Sequence, residues 1–420
     1  MRLSRKAKLW TAIAVLMTLT LLGVLYLLLA YSDPGQPLRR HATEGDDGRK
    51  QELSAHSTED PAPTASPPPT PEPTPEFLDA VWIGVGDVMS HTPQLPGAYD
   101  ATSKTYNFDP YFTEVKPILE QGDWVMANLE TPIAGASFGY TGYPSFNAPV
   151  ELAEALYNAG FNLLSTANNH SLDKGEKGLL ATLDNLRELD LQHVGTAASQ
   201  EEADTLVISE KNGIKMGLLA YTYGTNGIPV PEGKPYLVAL IDEERIKGDI
   251  KRLRDNGADL VTVALHFGSE YQTQPNETQK TLARSLAAAG ADIVAGSHPH
   301  VVQPYEIVDA FDEQGRKRQS LIIYSMGNFI SNQRGDWKDY GVIFKVHVRK
   351  QLPEGIIQLR EVEAIPTWVH RYKPDHAYRY RILPVEETVA EATDELLAPE
   401  QYATLQKDLA VLKERLDSMK

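Results

Sequence analysis

Five short stretches hold nearly all the residues able to do chemistry, and each follows an apolar, strand-like run. They are Gly86-Asp87, Asn128-Leu129-Glu130, Asn168-Asn169-His170, His266 with Glu270 four residues on, and His298-Pro299-His300. Carboxylates, neutral imidazoles and amide carbonyls form a donor set suited to borderline divalent metals. Singly, each stretch has a plain alternative. An aspartate after a strand commonly caps or turns the chain, Asn-Asn favours turns, and a lone histidine is commonly a satisfied core or surface group. Their coincidence favours a site: of 11 histidines, His170, His266, His298 and His300 all sit at or just past the end of a strand-like run. His298 and His300 flank a proline that restricts the local backbone, so both imidazoles can be aimed into one place. The reading is a metal site.

The elements that must position these residues follow from hydrophobic patterning. Strands are expected at 80–85, 123–127, 161–167, 259–265 and 292–295, each ending at one of the five stretches. Between them the apolar spacing predicts helices over 149–159, 176–189, 242–256 and 274–289, several closed by glycine. Alternating strands and helices argue for an α/β fold, whose ligands sit at the carboxyl ends of the strands. Further strands at 205–209, 214–221, 302–308, 320–326, 341–348 and 356–364 predict that part of the sheet is antiparallel, or that a second sheet packs against the first. Residues 398–419 read as a charged amphipathic helix with a packing or surface role. The run Arg316-Lys317-Arg318 reads as a solvated turn.

The amino-terminal segment has a different character. Residues 1–8 are basic and expected in the cytoplasm, and residues 9–31 are apolar and uncharged, long enough to cross about 30 Å of hydrocarbon. The expectation is an uncleaved signal anchor, with everything beyond it outside the cytoplasm. Residues 32–76 are polar and then proline-rich, a composition that cannot bury a core and favours extended polyproline II. Residues 77–348 are expected to form the catalytic domain, and 349–420 a strand-and-helix extension of it. The formal charge of the whole chain is −17, and without the four positive charges of the basic leader the remainder is −17 − 4 = −21, which argues against nucleic-acid binding. The absence of cysteine excludes disulfides and thiolate metal sites.

Six ordered motifs between about residues 80 and 348 carry a resemblance to a known family. Gly86-Asp87-Val88-Met89, Ala127-Asn128-Leu129-Glu130-Thr131-Pro132 and the run from Ala167 to Gly175 containing Asn169, His170 and Asp173 come first. His266-Phe267-Gly268-Ser269-Glu270-Tyr271, the run from Gly296 to Gln303, and Tyr324-Ser325-Met326-Gly327-Asn328-Phe329 complete them. Together they resemble the CapA-type poly-γ-glutamate capsule synthesis proteins, a family similar in turn to the calcineurin-like metallophosphoesterases. The resemblance implies a four-layer αββα sandwich with mixed sheets and a centre of two divalent ions of the Mn, Fe or Zn class. It implies Asp87, Glu130, Asn169, His266, His298 and His300 as ligands, with Glu130 bridging. It implies His170 at the leaving group, with Asp173 either orienting it or capping the next helix. Asn128, Glu270, Tyr271 and Asn328 are expected on the substrate side or behind the ligands. One departure stands out: the superfamily has a histidine two residues after its first aspartate, where this chain has Met89, and His91 is the nearest substitute.

The functional expectation is a membrane-anchored, extracytoplasmic, metal-dependent hydrolase with phosphoester chemistry, tied to poly-γ-glutamate synthesis. Two alternatives stay open. One is a non-catalytic accessory subunit that meets the synthesis proteins and the polymer, and the other a γ-glutamyl amide hydrolase or transferase using the same metals.

Overall fold

The computed structural model describes residues 76–420, apart from 313–314. The apolar run 9–31 and nearly all of the linker 32–76 lie outside the described residues. Among those described, no helix is long and apolar enough to cross a membrane. In chain order the strands are β1 (Glu76–Val88), β2 (Tyr99–Asp100), β3 (Thr105–Tyr106), β4 (Trp124–Leu129), β5 (Leu163–Ser165), β6 (Gln192–Val194), β7 (Val207–Lys211) and β8 (Ile214–Thr222). They continue as β9 (Leu260–His266), β10 (Ile293–Ser297), β11 (Tyr305–Phe311), β12 (Lys317–Ile323), β13 (Asn328–Ile330), β14 (Tyr340–Leu352), β15 (Ile356–Tyr372) and β16 (Arg379–Pro384). The longer helices are α1 (Glu151–Asn158), α2 (Gly175–Glu188), α3 (Glu243–Asp255), α4 (Glu277–Ala288), α5 (Val385–Glu391) and α6 (Pro399–Asp417).

Two sheets face each other. One runs β16-β15-β14-β1-β4-β5-β6, with β13 joining β1, and the other runs β11-β12-β10-β9-β8-β7. The strands that lead to the five stretches are parallel to one another within each sheet, so their carboxyl ends gather along one edge of each sheet. Alternation along each strand divides the core into layers. Trp82, Trp124, Leu260, Ile293 and Leu321 meet between the sheets. Ile83, Val85 and Val125 face outward onto α1 residues such as Leu152 and Leu156. Val261, Val263 and Val294 pack outward onto Ile246, Ile250 and Leu253 of α3 and Ala283 and Leu286 of α4. The result is the expected mixed α/β sandwich, with helices outside both sheets.

Two expectations need correction, and a third is borne out in its packing form. β1 starts at Glu76, inside the expected linker, because its first half pairs antiparallel with β14, with Glu76 opposite Leu352. Lys317 and Arg318 lie in β12 rather than a turn, and Arg318 reaches the buried Asp292 and the Ala291 carbonyl. The amphipathic helix at 398–419 appears as α6, and it is more than a surface helix. Leu405, Leu412 and Leu416 enter the core between the sheets, and the Tyr340 hydroxyl donates to Asp408 at 2.6 Å.

Two glycines allow backbone to approach backbone where the site is held. A Cβ at Gly86 would lie 1.8 Å from the Gly327 carbonyl oxygen, and one at Gly296 would lie 2.1 Å from that of Tyr324. Gly86 precedes Asp87, whose N–H donates to Gly327 at 2.9 Å, so this contact sets the height of Asp87 in the site. Gly86→Ala is therefore expected to lower the unfolding free energy by roughly 1–3 kcal/mol, the usual cost of overpacking. Denaturant titration checks it, and wild-type stability would show that the two segments separate freely.

Candidate metal centre

Five strand ends meet at the carboxyl edges of the two sheets. Asp87 comes from β1, Asn128 and Glu130 from the end of β4, Asn169 and His170 from the loop after β5, His266 from β9, and His298 and His300 from the loop after β10. Asp87, Glu130, Asn169, His266, His298 and His300 are all nearly or wholly inaccessible to solvent. Their donor atoms fall into two groups that share one residue. Glu130, His266 and His298 form one group and Asp87, Glu130 and His300 the other, each with ligand atoms within 4.8 Å of one another. Glu130 Oε1 lies 3.6 Å from His266 Nε2 and 3.6 Å from His300 Nε2. Asn169 Oδ1 lies 2.9 Å from His266 Nε2, adding an amide oxygen to the first group.

The residues present fit divalent ions on two counts. Glu130 Oε1 and His298 Nδ1 are buried without a hydrogen-bond partner, an arrangement that costs free energy unless a partner is supplied. Burial, then the neighbouring Asp87 charge, pushes the Glu130 carboxyl well above its usual range, and burial followed by the other imidazoles pushes His266 well below its own. His298 is lowered to about 4, again chiefly by burial. The centre thus combines crowded carboxylates with the imidazoles of His266 and His298 held neutral, the form in which imidazole binds a metal.

Side chains behind the ligands hold them in place. Asn128 Nδ2 donates to Asp87 Oδ1 at 2.8 Å and lies 3.2 Å from His266 Nδ1. Ser297 Oγ lies 3.0 Å from that same nitrogen. Asn328 Oδ1 and Asp87 Oδ2 both lie 3.1 Å from His300 Nδ1. Asn128 and Asn328, expected on the substrate side or behind the ligands, occupy the second of these positions, buried beneath them. Asp173 does not cap the following helix, whose N-cap position is Lys174 without a side-chain cap. Its Oδ2 instead lies 2.7 Å from His170 Nδ1 and accepts from the Phe146 N–H at 2.7 Å. Asn168 fixes the turn, donating to the Leu129 carbonyl at 2.8 Å and accepting from the His170 N–H at 3.1 Å.

His91 belongs to neither donor group. Its Nδ1 accepts from the Asn332 N–H at 3.3 Å, and its ring meets Phe146 edge-on, as that of His170 does from another side. Glu270 and Tyr271 are exposed at the mouth. Tyr223 was not anticipated: half exposed, it lies with its ring centroid 4.5 Å from that of His298. Its position was readable in principle, since it directly follows β8, the parallel neighbour of β9.

Comparison with known proteins shows the family. Residues 82–333, more than half of the chain, match the family described as "Bacterial capsule synthesis protein PGA_cap". The chain belongs to that family. It is 30% identical over 275 residues to the capsule biosynthesis protein CapA of Bacillus anthracis, spanning 63% of each chain. It is 29% identical to the PGA biosynthesis protein CapA of Bacillus subtilis, over 63% of this chain and 67% of that one. Among solved structures it resembles the calcineurin-like phosphoesterase YfkN of Bacillus subtilis, with a TM-score of 0.42 and 15% identity over 69% of this chain and 91% of that one.

Two outcomes follow from this geometry. Asn128→Ala removes the donor that joins Asp87 to His266 and is expected to weaken Mn²⁺ binding on the order of 10- to 100-fold, as loss of such supporting contacts does; calorimetric titration with Mn²⁺ measures it. Metal affinity should also rise with pH above the ordinary carboxylate value of 4.5, because the raised Glu130 carboxyl must lose its proton to coordinate. His298, lowered to about 4, is already neutral there. Affinity that is flat through the weakly acidic range would argue against Glu130 as a ligand.

Proposed function

We propose that this protein is a metal-dependent hydrolase acting on a phosphoester-type bond during capsule or cell-envelope polymer synthesis. The observation that carries this reading is the buried, unpartnered Glu130 Oε1, positioned between the two donor groups. Asp87, Glu130 and His300 would hold one divalent ion, and Glu130, Asn169, His266 and His298 a second. When bound, such ions make a water nucleophilic near neutral pH and stabilise charge on phosphoryl oxygens.

The chain's own groups do the rest. The Asp173 carboxylate holds His170 through Nδ1, leaving the other ring nitrogen to give a proton to the departing oxygen. Phe146 packs edge-on against that ring with centroids 4.7 Å apart, limiting its rotation. Asn128 and Asn328 keep Asp87, His266 and His300 in register. Tyr223 and Tyr271, flat and partly exposed, flank the entrance beside His298 and His300.

We also propose that residues 9–31 anchor the chain in the cell membrane, with the catalytic domain on the outer side. The basic leader ahead of the apolar run favours that orientation. The named CapA relatives support a link to poly-γ-glutamate and its synthesis proteins. Because poly-γ-glutamate is a polyanion and this chain carries −17, contact with the polymer would depend on the local field of bound cations.

The test uses the full-length protein, Mn²⁺ and an aryl phosphodiester. Hydrolysis is expected, and it should disappear together with bound metal in His266→Ala and His298→Ala. His170→Ala is expected to keep its metal while kcat falls on the order of 10²- to 10⁴-fold. Metal-loaded protein that leaves the diester intact but cleaves a γ-glutamyl amide would move the chemistry to amides. Unchanged capsule in a His266→Ala, His298→Ala strain would favour the accessory role.

A further inference from the structure

The turn after β9 doubles back over the centre and is pinned to the loop that carries the two final histidines. The Phe267 N–H donates to the Ser297 carbonyl at 3.1 Å, and the Tyr271 N–H to the Pro299 carbonyl at 2.8 Å. Three non-glycine residues at this junction have left-handed backbones: Tyr271 at φ 64°, His298 at 100° and His300 at 58°. Such conformations cost free energy and persist where surrounding structure holds them. Here they are held by the paired loops, and the outcome is specific. A Glu270 carboxylate oxygen, a ring nitrogen of His298 and a ring nitrogen of His300 lie within 4.8 Å of one another.

This third donor group differs from the other two. His298 and His300 are buried, whereas Glu270 is exposed, so its carboxylate approaches from the mouth while Asp87 and Glu130 approach from within. It also answers an imbalance. The group around His266 has two imidazoles, the Glu130 carboxylate and the Asn169 amide oxygen, while the group around His300 has one imidazole and two carboxylates. His298 Nδ1 is buried and unpartnered. A carboxylate spanning His298 and His300 lies where it can complete the poorer group or join the two.

We propose that Glu270 is a further ligand of the metal centre, closing its open face from the turn after β9. This rests on the metal-centre reading and assigns Glu270 to the ions rather than to the substrate. Its carboxylate belongs to the oxygen donors that suit harder divalent ions such as Mn²⁺.

The experiment is Mn²⁺ binding by full-length protein, followed by calorimetry and by the electron paramagnetic resonance spectrum of the bound ion. Glu270→Gln keeps the shape of an exposed side chain while removing its charge. It is expected to weaken at least one binding event on the order of 10- to 100-fold, at the least what loss of a ligand's supporting contact costs, and to alter the spectrum of the remaining ion. Glu270→Asp should recover part of the affinity, and Ser269→Ala on the same turn should bind as wild type does. Wild-type affinity and spectrum in Glu270→Gln would overturn the assignment and leave the metal centre standing. No Mn²⁺ binding by the wild-type protein would overturn the metal-centre reading itself. A Glu270→Gln chain that melts earlier without metal, with affinity restored by no variant, would mark Glu270 as structural and overturn its role as a ligand.

Discussion

A buried carboxylate oxygen without a hydrogen-bond partner in the protein is the constraint on which this site depends. Glu130 is fully buried, and its Oε1 faces ring nitrogens of His266 and His300 at 3.6 Å each. An uncompensated charge in that position costs several kcal/mol. The surrounding groups relieve it only in part, since burial holds His266 neutral and Asn128 lies 3.4 Å from the other oxygen. A divalent ion held by the donor groups around Glu130 would supply the missing partner.

Bringing those donors together takes two sheets. Glu130 and Asp87 come from one sheet, His266, His298 and His300 from the other, and the core between the sheets fixes their separation. The close approaches at Gly86 and Gly296 and the left-handed backbones of His298 and His300 show where the fold spends stability to hold geometry. The Asn128 amide then ties the Asp87 carboxylate to the His266 imidazole across the gap, and the Asn328 amide oxygen lies 3.1 Å from His300 Nδ1. The site is rigid because its supports belong to both layers.

A fold of this kind hosts many chemistries, so the reading of function has to rest on the site. The family membership places the chain among capsule synthesis proteins. The donor atoms describe what kind of reaction such a centre can support. Both lines support the hydrolytic step proposed above, the family by its setting and the donor atoms by their chemistry.

Much of the centre was legible in the sequence because it is written locally. An apolar run that stops at Asp87, Glu130, Asn169, His266 or His298 shows both the strand and the group at its end, whatever the rest of the chain does. The major strands and helices were visible for the same reason, since their periodicity lies within a dozen residues. Other features depended on contacts distant in sequence. The three-residue strands β6 and β13 carry too little pattern to announce themselves and exist through pairing with β5 and β1. The partnership of Asp173 with His170 rather than with a helix cap, and the burial of Asn128 and Asn328, depend on which side of a turn faces the other sheet. Tyr223 reached the site because β8 lies beside β9. The sequence by itself determined which residues could bind metal and at which strand ends they would stand. Only the tertiary structure decided which of their donor atoms lie together, because distances of a few ångströms between strands far apart in the chain are set by sheet pairing and core packing.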